Sequence, residues 1–159
     1  MKISSNSLSL RKVTKDDMGL LFKWVNDPVV RKWSFNKQPI TLEEHECWFN
    51  EKYNDPSTII WILEESAQPS GVVRFEKNTN RVLLNYLIAP EARGKKLASK
   101  MLLMSIDKLE KFWKGIDIIA YSLPENIASI KSLKKVGFCL LAMDSRQNSY
   151  VLQRNALTL

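Results

Sequence analysis

The segment Leu83–Phe138 constrains the fold more than any other part of the chain. It begins with an apolar run, Leu83–Ala89, which Pro90 ends because proline has no N–H group and a fixed φ. An apolar-periodic stretch, Leu97–Trp113, then predicts a long helix, and a second apolar run, Ile116–Tyr121, predicts another strand. Strand, helix and strand in this order indicate a parallel crossover within one sheet.

The turn between the first of these strands and the helix is strongly basic. It reads Arg93-Gly94-Lys95-Lys96, and its glycine permits an unusual φ or a close backbone approach. The helix that follows begins with unpaired N–H groups and with the positive end of its dipole. The sequence therefore predicts a phosphate-binding site beside the carboxyl end of a strand.

Two motifs in this segment carry a family resemblance. Arg93–Ala98 resembles the Arg/Gln-x-x-Gly-x-Gly/Ala loop with which GCN5-related N-acetyltransferases hold the pyrophosphate of acetyl-coenzyme A. Asn126–Ser129 followed by Lys135–Phe138 resembles the second family motif, Asn-x-x-Ser-x-x-x-Tyr-x-x-x-Gly-Phe. The chain departs from these motifs twice. Lys96 stands at a position of the loop that the family usually fills with glycine, and Leu133 stands at the tyrosine that many members use as a general acid.

The resemblance implies an α/β (α+β) fold in one domain over residues 1–159: a mixed, centrally splayed sheet of about six or seven strands flanked by about four helices. The implied co-substrate is acetyl-coenzyme A, with no metal. A backbone N–H near Leu87 or Ile88 would donate to the thioester oxygen. The residues implied to contact the cofactor are Leu87, Ile88, Ala89, Arg93, Gly94, Lys95, Lys96, Leu97, Ala98, Ser99, Asn126, Ser129 and Ser132.

Acetyl transfer to an amine also needs a proton acceptor. The candidates are His45, Glu76, Asn85 acting through water, and Tyr121. His45 titrates in the useful range, although a packed histidine is the alternative interpretation. Asn85 stands out because it is a polar residue within an apolar strand. For Glu76, the alternative to a role as base is a solvated residue of a hairpin. Ser132 could donate to the departing thiolate.

The N-terminal half resembles a narrower subgroup through Trp24–Pro28, Arg31, Glu44–Phe49 and Gly71–Arg74. Members of that subgroup acetylate the amino group of a nucleotide-linked sugar, in pathways to pseudaminic, legionaminic and related acids. Protein N-termini and polyamines are alternative acceptors, and a non-catalytic coenzyme A-binding module is the alternative of another class. The residues implied to bind the acceptor are Arg31, Trp33, Arg74 and Tyr86.

Composition and charge limit the other classes of protein to which the chain could belong. A chain of 159 residues, 45% of them apolar, fits a single core. The net charge of +7 is compatible with nucleic acid or anionic membranes, but no nucleic-acid reader motif is present and no apolar stretch approaches the roughly 20 residues of a membrane span. The chain has no Gly-x-Gly-x-x-Gly turn after its first strand, and a dinucleotide-binding fold would require one. We therefore expect neither nucleic acid nor a membrane as partner.

The termini and the cysteines suggest the compartment. The first residues contain no apolar core of a secretory signal, so we expect a cytoplasmic protein. Cys47 and Cys139 are isolated and are predicted to be reduced and buried. With a single histidine in the chain, a zinc site is not expected. The sequence leaves a homodimer open.

Overall fold

The computed structural model describes residues 6–156, which form a seven-stranded mixed sheet with five α-helices. Two short 3₁₀ turns, Lys15–Asp17 and Pro90–Ala92, precede α1 and follow β4. The strands are β1 (Leu8–Lys12), β2 (Thr58–Glu65), β3 (Gln68–Lys77), β4 (Arg81–Ile88), β5 (Asp117–Ser122), β6 (Cys139–Asp144) and β7 (Ser149–Arg154). The helices are α1 (Met18–Val25), α2 (Pro28–Trp33), α3 (Leu42–Asn54), α4 (Leu97–Leu109) and α5 (Ile127–Lys135).

The sheet consists of two antiparallel groups joined by one parallel pair. Strands β1 to β4 form an antiparallel meander, and β5, β7 and β6 form the second group, so the order is β1-β2-β3-β4-β5-β7-β6. Strands β4 and β5 pair in parallel, with α4 between them in the chain. The mixed α/β fold and the parallel crossover expected from the sequence are thereby confirmed.

The parallel pair is short, and this creates a gap in the middle of the sheet. Pairing covers only Arg81–Leu84 of β4 against residues 117–120 of β5. Strand β4 continues to Ile88, where it pairs with Gly71 of β3 on its other side. Within residues 6–156, no strand pairs with residues 85–88 on the side of β5. The sheet is therefore splayed at its centre, as expected.

Side chains of β4 alternate between the two faces of the sheet. Tyr86 points to the face of α5, where its hydroxyl contacts Ser129. Asn85 points to the opposite face together with its ladder partner Arg74, which contacts Trp48 of α3. The gap between β4 and β5 is thus accessible from the side of α4 and α5 and from the side of α1 to α3.

Three element boundaries differ from the sequence prediction. Asn26–Pro28 ends α1, since the residue before a proline disfavours the helical conformation, but a further helix, α2, starts at Pro28, with the Asp27 side chain accepting from two backbone N–H groups of its first turn. Residues 66–71, in which Pro69 and Gly71 are typical of a loop, are largely strand β3, because Ser66 and Ala67 (φ 50° and 64°) make a tight hairpin without glycine. Helix α4 ends at Leu109 rather than near residue 113.

The prediction of buried cysteines was wrong. Cys47 and Cys139 are free thiols, and both are exposed. Cys47 lies on the outer side of α3, since His45 and Phe49 occupy the buried side of that helix. Among the described residues, no helix combines the length and apolar character that crossing a bilayer requires.

Candidate active site

A cleft of about 870 Å³ opens where β4 and β5 separate. Its walls come from the free part of β4, the turn after it, the first turn of α5, and the helices α2 and α3. Most residues predicted for the site line this cleft. Glu76, Ala89, Lys95 and Ser99 are the predicted site residues that do not line it.

The basic turn has the backbone geometry of a phosphate-binding loop. Gly94 has φ 78°, and Lys96 has the left-handed values φ 59° and ψ 29°. Left-handed backbone favours glycine, so Lys96 adopts here a conformation that glycine would adopt without strain. Lys96 caps α4, and no side chain from residues 6–156 hydrogen-bonds to the N–H groups of the first turn. Lys96, Leu97 and Ala98 line the cleft, so this helix start lies where an anion could bind.

Two of the three cations of the turn have partners in the protein. Arg93 Nη2 lies 2.6 Å from Asp27 Oδ2, and Lys95 Nζ lies 3.1 Å from Glu65 Oε2. Although burial opposes ionisation of Asp27, the hydrogen bond from Arg93 and those from the start of α2 lower its pKa. Lys96 is exposed and makes no ion pair with any described residue. Lys96 is therefore the cation of the turn that is available to a ligand.

The start of α5 forms the wall opposite the turn. The Asn126 side chain accepts a hydrogen bond from Ser129 N at 3.3 Å and so caps α5. The Ser129 hydroxyl lies 3.0 Å from Tyr86 Oη. Burial raises the pKa of Tyr86, although hydrogen bonds with Ser129 and Ser132 oppose this. Leu133, at the family's tyrosine position, is fully buried.

His45 is packed among aromatic rings on the other face of the sheet. Its Nε2 lies 3.1 Å from the Met18 carbonyl oxygen, and its ring centroid lies 5.4 Å from those of Phe22 and Trp48. Burial lowers the pKa of His45, although the Met18 carbonyl opposes this shift. The side chain is 3% exposed, so His45 has a structural role, and its role as a base stays a prediction.

Replacing His45 by glutamine is expected to change how stability depends on pH. The lowered pKa means that the unfolded chain binds a proton at this site more readily than the folded chain. The contribution of His45 is therefore complete above about pH 6.5, the unfolded value, and is lost as pH falls below it. We expect His45→Gln to cost about 1–2 kcal/mol at pH 8 and progressively less toward pH 5. Urea unfolding from pH 8 to 5 measures this; parallel curves for the two proteins would contradict it.

Arg74 is the cation in the acceptor half of the cleft. Burial lowers the pKa of Arg74, although the Glu76 carboxylate opposes this shift. The Arg74 Cζ lies 5.0 Å from the centre of the Trp48 ring. Nε lies 2.6 Å from Glu76 Oε1, but its N–H is not directed at a hydrogen-bond acceptor. The second oxygen of Glu76 binds Lys52 Nζ at 3.0 Å. Glu76 thus contacts two cations, and Lys52 also lies 3.8 Å from the exposed carboxylate of Glu51.

Arg31 contributes structure rather than free donors. Its Nε, Nη1 and Nη2 donate to the carbonyls of Val25 and Asn36 and to the Ser34 hydroxyl, at 2.7, 2.8 and 2.9 Å. The guanidinium therefore fixes the segment after α2 to the end of α1. Trp33 lines the cleft beside it. The assignment of both residues to acceptor binding stays a prediction.

Sequence reasoning missed two contributors to the site. Asp27 caps α2 and also pairs with Arg93 of the basic turn. In the sequence, the Asp-Pro pair, which is typical of a helix start, could have indicated the capping role. Phe35 lines the cleft and stands edge-to-face with Tyr121 of β5, with 6.1 Å between the ring centroids. Phe35 is 49% exposed. In the sequence, a large aromatic residue within a basic segment could have marked it as a candidate for the site.

Comparison with known proteins places this geometry in a family. The model of the acetyltransferase (GNAT) domain matches residues 7–139. The chain is 27% identical to the uncharacterized protein MJ1062 of Methanocaldococcus jannaschii over 97% of its own length, and it spans only 32% of that relative. A solved domain from M. jannaschii superimposes with a TM-score of 0.82 at 24% identity, covering 95% of this chain and 99% of that one.

A second solved structure is that of spermidine N-acetyltransferase from Vibrio cholerae in complex with CoA and spermine. It superimposes with a TM-score of 0.81 at 17% identity, covering 94% of this chain and 95% of that one. At such identities the likeness of both structures concerns the fold. The family model, by contrast, covers most of the chain, including β4, the basic turn and the start of α5. The chain therefore belongs to the GNAT family of acetyltransferases.

Proposed function

We propose that the chain transfers the acetyl group of acetyl-coenzyme A to a primary amine, and that the acceptor is an amino sugar linked to a nucleotide. Two observations support this proposal. The basic turn and the free edge of β4 suit a pyrophosphate with an amide-containing arm. The cleft is lined by Arg31, Arg74, Arg93 and Lys96 and by no carboxylate from the described residues, which suits an anionic acceptor.

The residues of the turn fit the pyrophosphate of coenzyme A. Lys96 would supply charge, the N–H groups of the first turn of α4 would donate to phosphate oxygens, and Gly94 leaves open space beside the backbone. The free backbone groups of residues 85–88 would hold the arm, with a donor near Leu87 or Ile88 for the thioester oxygen.

The charge of the acceptor half discriminates among amines. A polyamine carries several positive charges, and like charges about 4 Å apart repel by about 4 kcal/mol at the effective dielectric constant of a protein surface. Arg74 and its aromatic neighbour Trp48 instead suit a phosphate next to a base. We therefore rank a nucleotide-linked amino sugar above a polyamine, and above a protein N-terminus with its own positive charge.

The reaction follows from this arrangement. Binding across the gap brings the amine from the face of Arg74 and Asn85 to a thioester held along β4, and such positioning can contribute several kcal/mol. The amine loses its proton to water, for which Asn85, exposed in the cleft, offers a hydrogen-bonding side chain. Direct attack then gives the amide and the free thiol.

A thiol-release assay tests the proposal. Acetyl-coenzyme A is offered with an amino-sugar nucleotide, the same amino sugar without the nucleotide, spermidine, or a peptide with a free N-terminus. We expect the nucleotide-linked sugar to give a kcat/KM at least about tenfold above that of the free sugar, or about 1.4 kcal/mol in transition-state binding. A preference for spermidine would overturn the choice of acceptor. Thermal stabilisation by coenzyme A without turnover of any amine would favour the non-catalytic module.

Replacing Arg74 by glutamine is expected to remove this preference. We expect kcat/KM to fall about 10- to 100-fold for the nucleotide-linked sugar and less than about threefold for the free sugar, because a buried charge-assisted contact contributes about 1.5–3 kcal/mol. Glu76 keeps Lys52 as partner in the variant, so the fold should persist. Arg81→Gln, on the exposed start of β4 and outside the cleft, is the matched control. Equal losses on both sugars would contradict a contact to the nucleotide.

A further inference from the structure

The chain lacks the tyrosine of the second motif, yet a tyrosine hydroxyl reaches the first turn of α5 from another element. Tyr86 belongs to β4 and lines the cleft, two residues beyond the last parallel pair, Leu84 with Ala120. Its Oη lies 3.0 Å from the Ser129 hydroxyl. Leu133, one helical turn further on the same side of α5, is fully buried within the core.

We propose that Tyr86 is a catalytic residue that donates its phenolic proton to the thioester sulfur as the thiolate departs, with Ser129 as its hydrogen-bond partner. This inference rests on the proposed function. It assigns to a β4 residue the task that the family gives to a tyrosine of α5. In this chain the donor has moved from the helix to the facing strand.

The position of Tyr86 along β4 suits this role. The oxyanion donor is expected at Leu87 or Ile88, and the sulfur is one bond from the carbonyl carbon, so a thioester bound there would place its sulfur near the neighbouring residue. Tyr86 stands on the face of α5, whereas Asn85 stands on the face from which the amine is expected. The donor to the leaving group and the incoming nucleophile are therefore on opposite sides of the gap.

The chemistry of the phenol also suits this role. Burial raises the pKa of Tyr86, so its hydroxyl is protonated at neutral pH and available as a donor. A phenol, with an ordinary pKa near 10, is much closer in acidity to a thiol, near 8.5, than an aliphatic hydroxyl is. Ser129 and Ser132 line the same wall, and their hydroxyls can return a proton to Tyr86.

Atoms and electrons balance in this step. The amine nitrogen forms a bond to the acetyl carbon while the carbon–sulfur bond breaks, and the electron pair of that bond remains on sulfur. Sulfur receives the proton of Tyr86 Oη, and Tyr86 regains a proton from Ser129 Oγ, which is reprotonated by water. The proton lost by the amine passes to water. The products are an amide and a thiol, and no oxidant or further reactant is needed.

The test uses Tyr86→Phe, with Tyr150→Phe as control, because Tyr150 lies on β7 outside the cleft. At saturating acetyl-coenzyme A we expect kcat of Tyr86→Phe to fall about 10- to 100-fold, the range of one acid–base group, with KM changed less than about threefold. Ser129→Ala should lower kcat about three- to tenfold. Ser129→Ala also keeps the proposal testable if Tyr86→Phe does not fold.

A binding measurement separates a donor from a merely structural residue. The affinities of coenzyme A and of its analogue without sulfur are compared by calorimetry at pH 7 and pH 9. In the wild type and in Tyr150→Phe, the ratio of these affinities should rise with pH, because a hydrogen-bond donor favours the thiolate. In Tyr86→Phe the ratio should stay constant.

The outcomes are distinct. A kcat of Tyr86→Phe within twofold of the wild type overturns the inference. A lower kcat together with an affinity ratio that still rises with pH as in the wild type also overturns it, because a packing role would produce that result. Failure of the wild-type protein to bind coenzyme A at all would overturn the proposed function itself.

Discussion

Replacing Lys96 by glutamate is expected to weaken binding of acetyl-coenzyme A by about 30- to 100-fold, or about 2–3 kcal/mol. Lys96 is the cation of the basic turn without an ion-pair partner among residues 6–156, and it caps α4. The variant removes a positive charge and places a negative one beside the pyrophosphate, where each unit pair at about 4 Å is worth up to about 4 kcal/mol before solvent screening. Both residue types are equally strained in the left-handed conformation, so the folded state should change little.

Isothermal calorimetry with coenzyme A at low salt and at about 0.5 M salt checks this expectation. The difference between the proteins should shrink at high salt, since added ions screen an exposed charge. Lys100→Glu is the matched control, because Lys100 is an exposed lysine of the same helix outside the cleft. Equal losses in both variants would mean that net charge, rather than the turn, attracts the cofactor.

Replacing Gly71 by alanine is expected to lower the free energy of unfolding by about 2–3 kcal/mol. A Cβ at this position would stand 2.9 Å from the carbonyl oxygen of Leu87, 3.1 Å from Met101 Sδ and 3.2 Å from Ile88 Cδ1. The methionine can rotate away, but the carbonyl belongs to the backbone of β4. That strand must therefore shift at the residues expected to hold the thioester.

Urea denaturation measures the loss, and Gly19→Ala provides the control. Gly19 lies in α1, and a Cβ added there would have nothing within 4 Å, so this exchange should stabilise the protein by up to about 1 kcal/mol. A loss below about 0.5 kcal/mol in Gly71→Ala, within the range of ordinary surface changes, would show that β4 adapts without cost.

The sequence predicted those parts of the fold that have strong local signals. The apolar runs of β4 and β5 and the apolar-periodic stretch that begins at Leu97 each led to the observed element. Helix α2 was missed because six residues are too few to show a helical period, and the start of β3 because Pro69 and Gly71 are typical of loops. In the hairpin before β3, tertiary pairing overrides the preference of Ser66 and Ala67 for negative φ.

The parts of the site whose residues are close together in the sequence were predictable. The motifs around Arg93 and Asn126 fall on two walls of one cleft. The contacts between distant residues were not predictable, because nothing local in the sequence indicates them: Asp27 reaches Arg93 across 66 residues, and Tyr86 reaches Ser129 across 43. For the same reason the pairing of Glu76 with Lys52 could not be foreseen.

The interrupted ladder at residues 85–88 affects how such a protein can diverge. Main-chain N–H and C=O groups are the same for every residue type except proline. A ligand whose amides hydrogen-bond to the backbone of residues 85–88 is therefore recognised by atoms that an amino-acid substitution does not alter. Apart from Asn85 and Tyr86, side chains along this segment can therefore change without loss of this recognition, provided that proline is avoided and the neighbouring strand keeps its small residue at position 71.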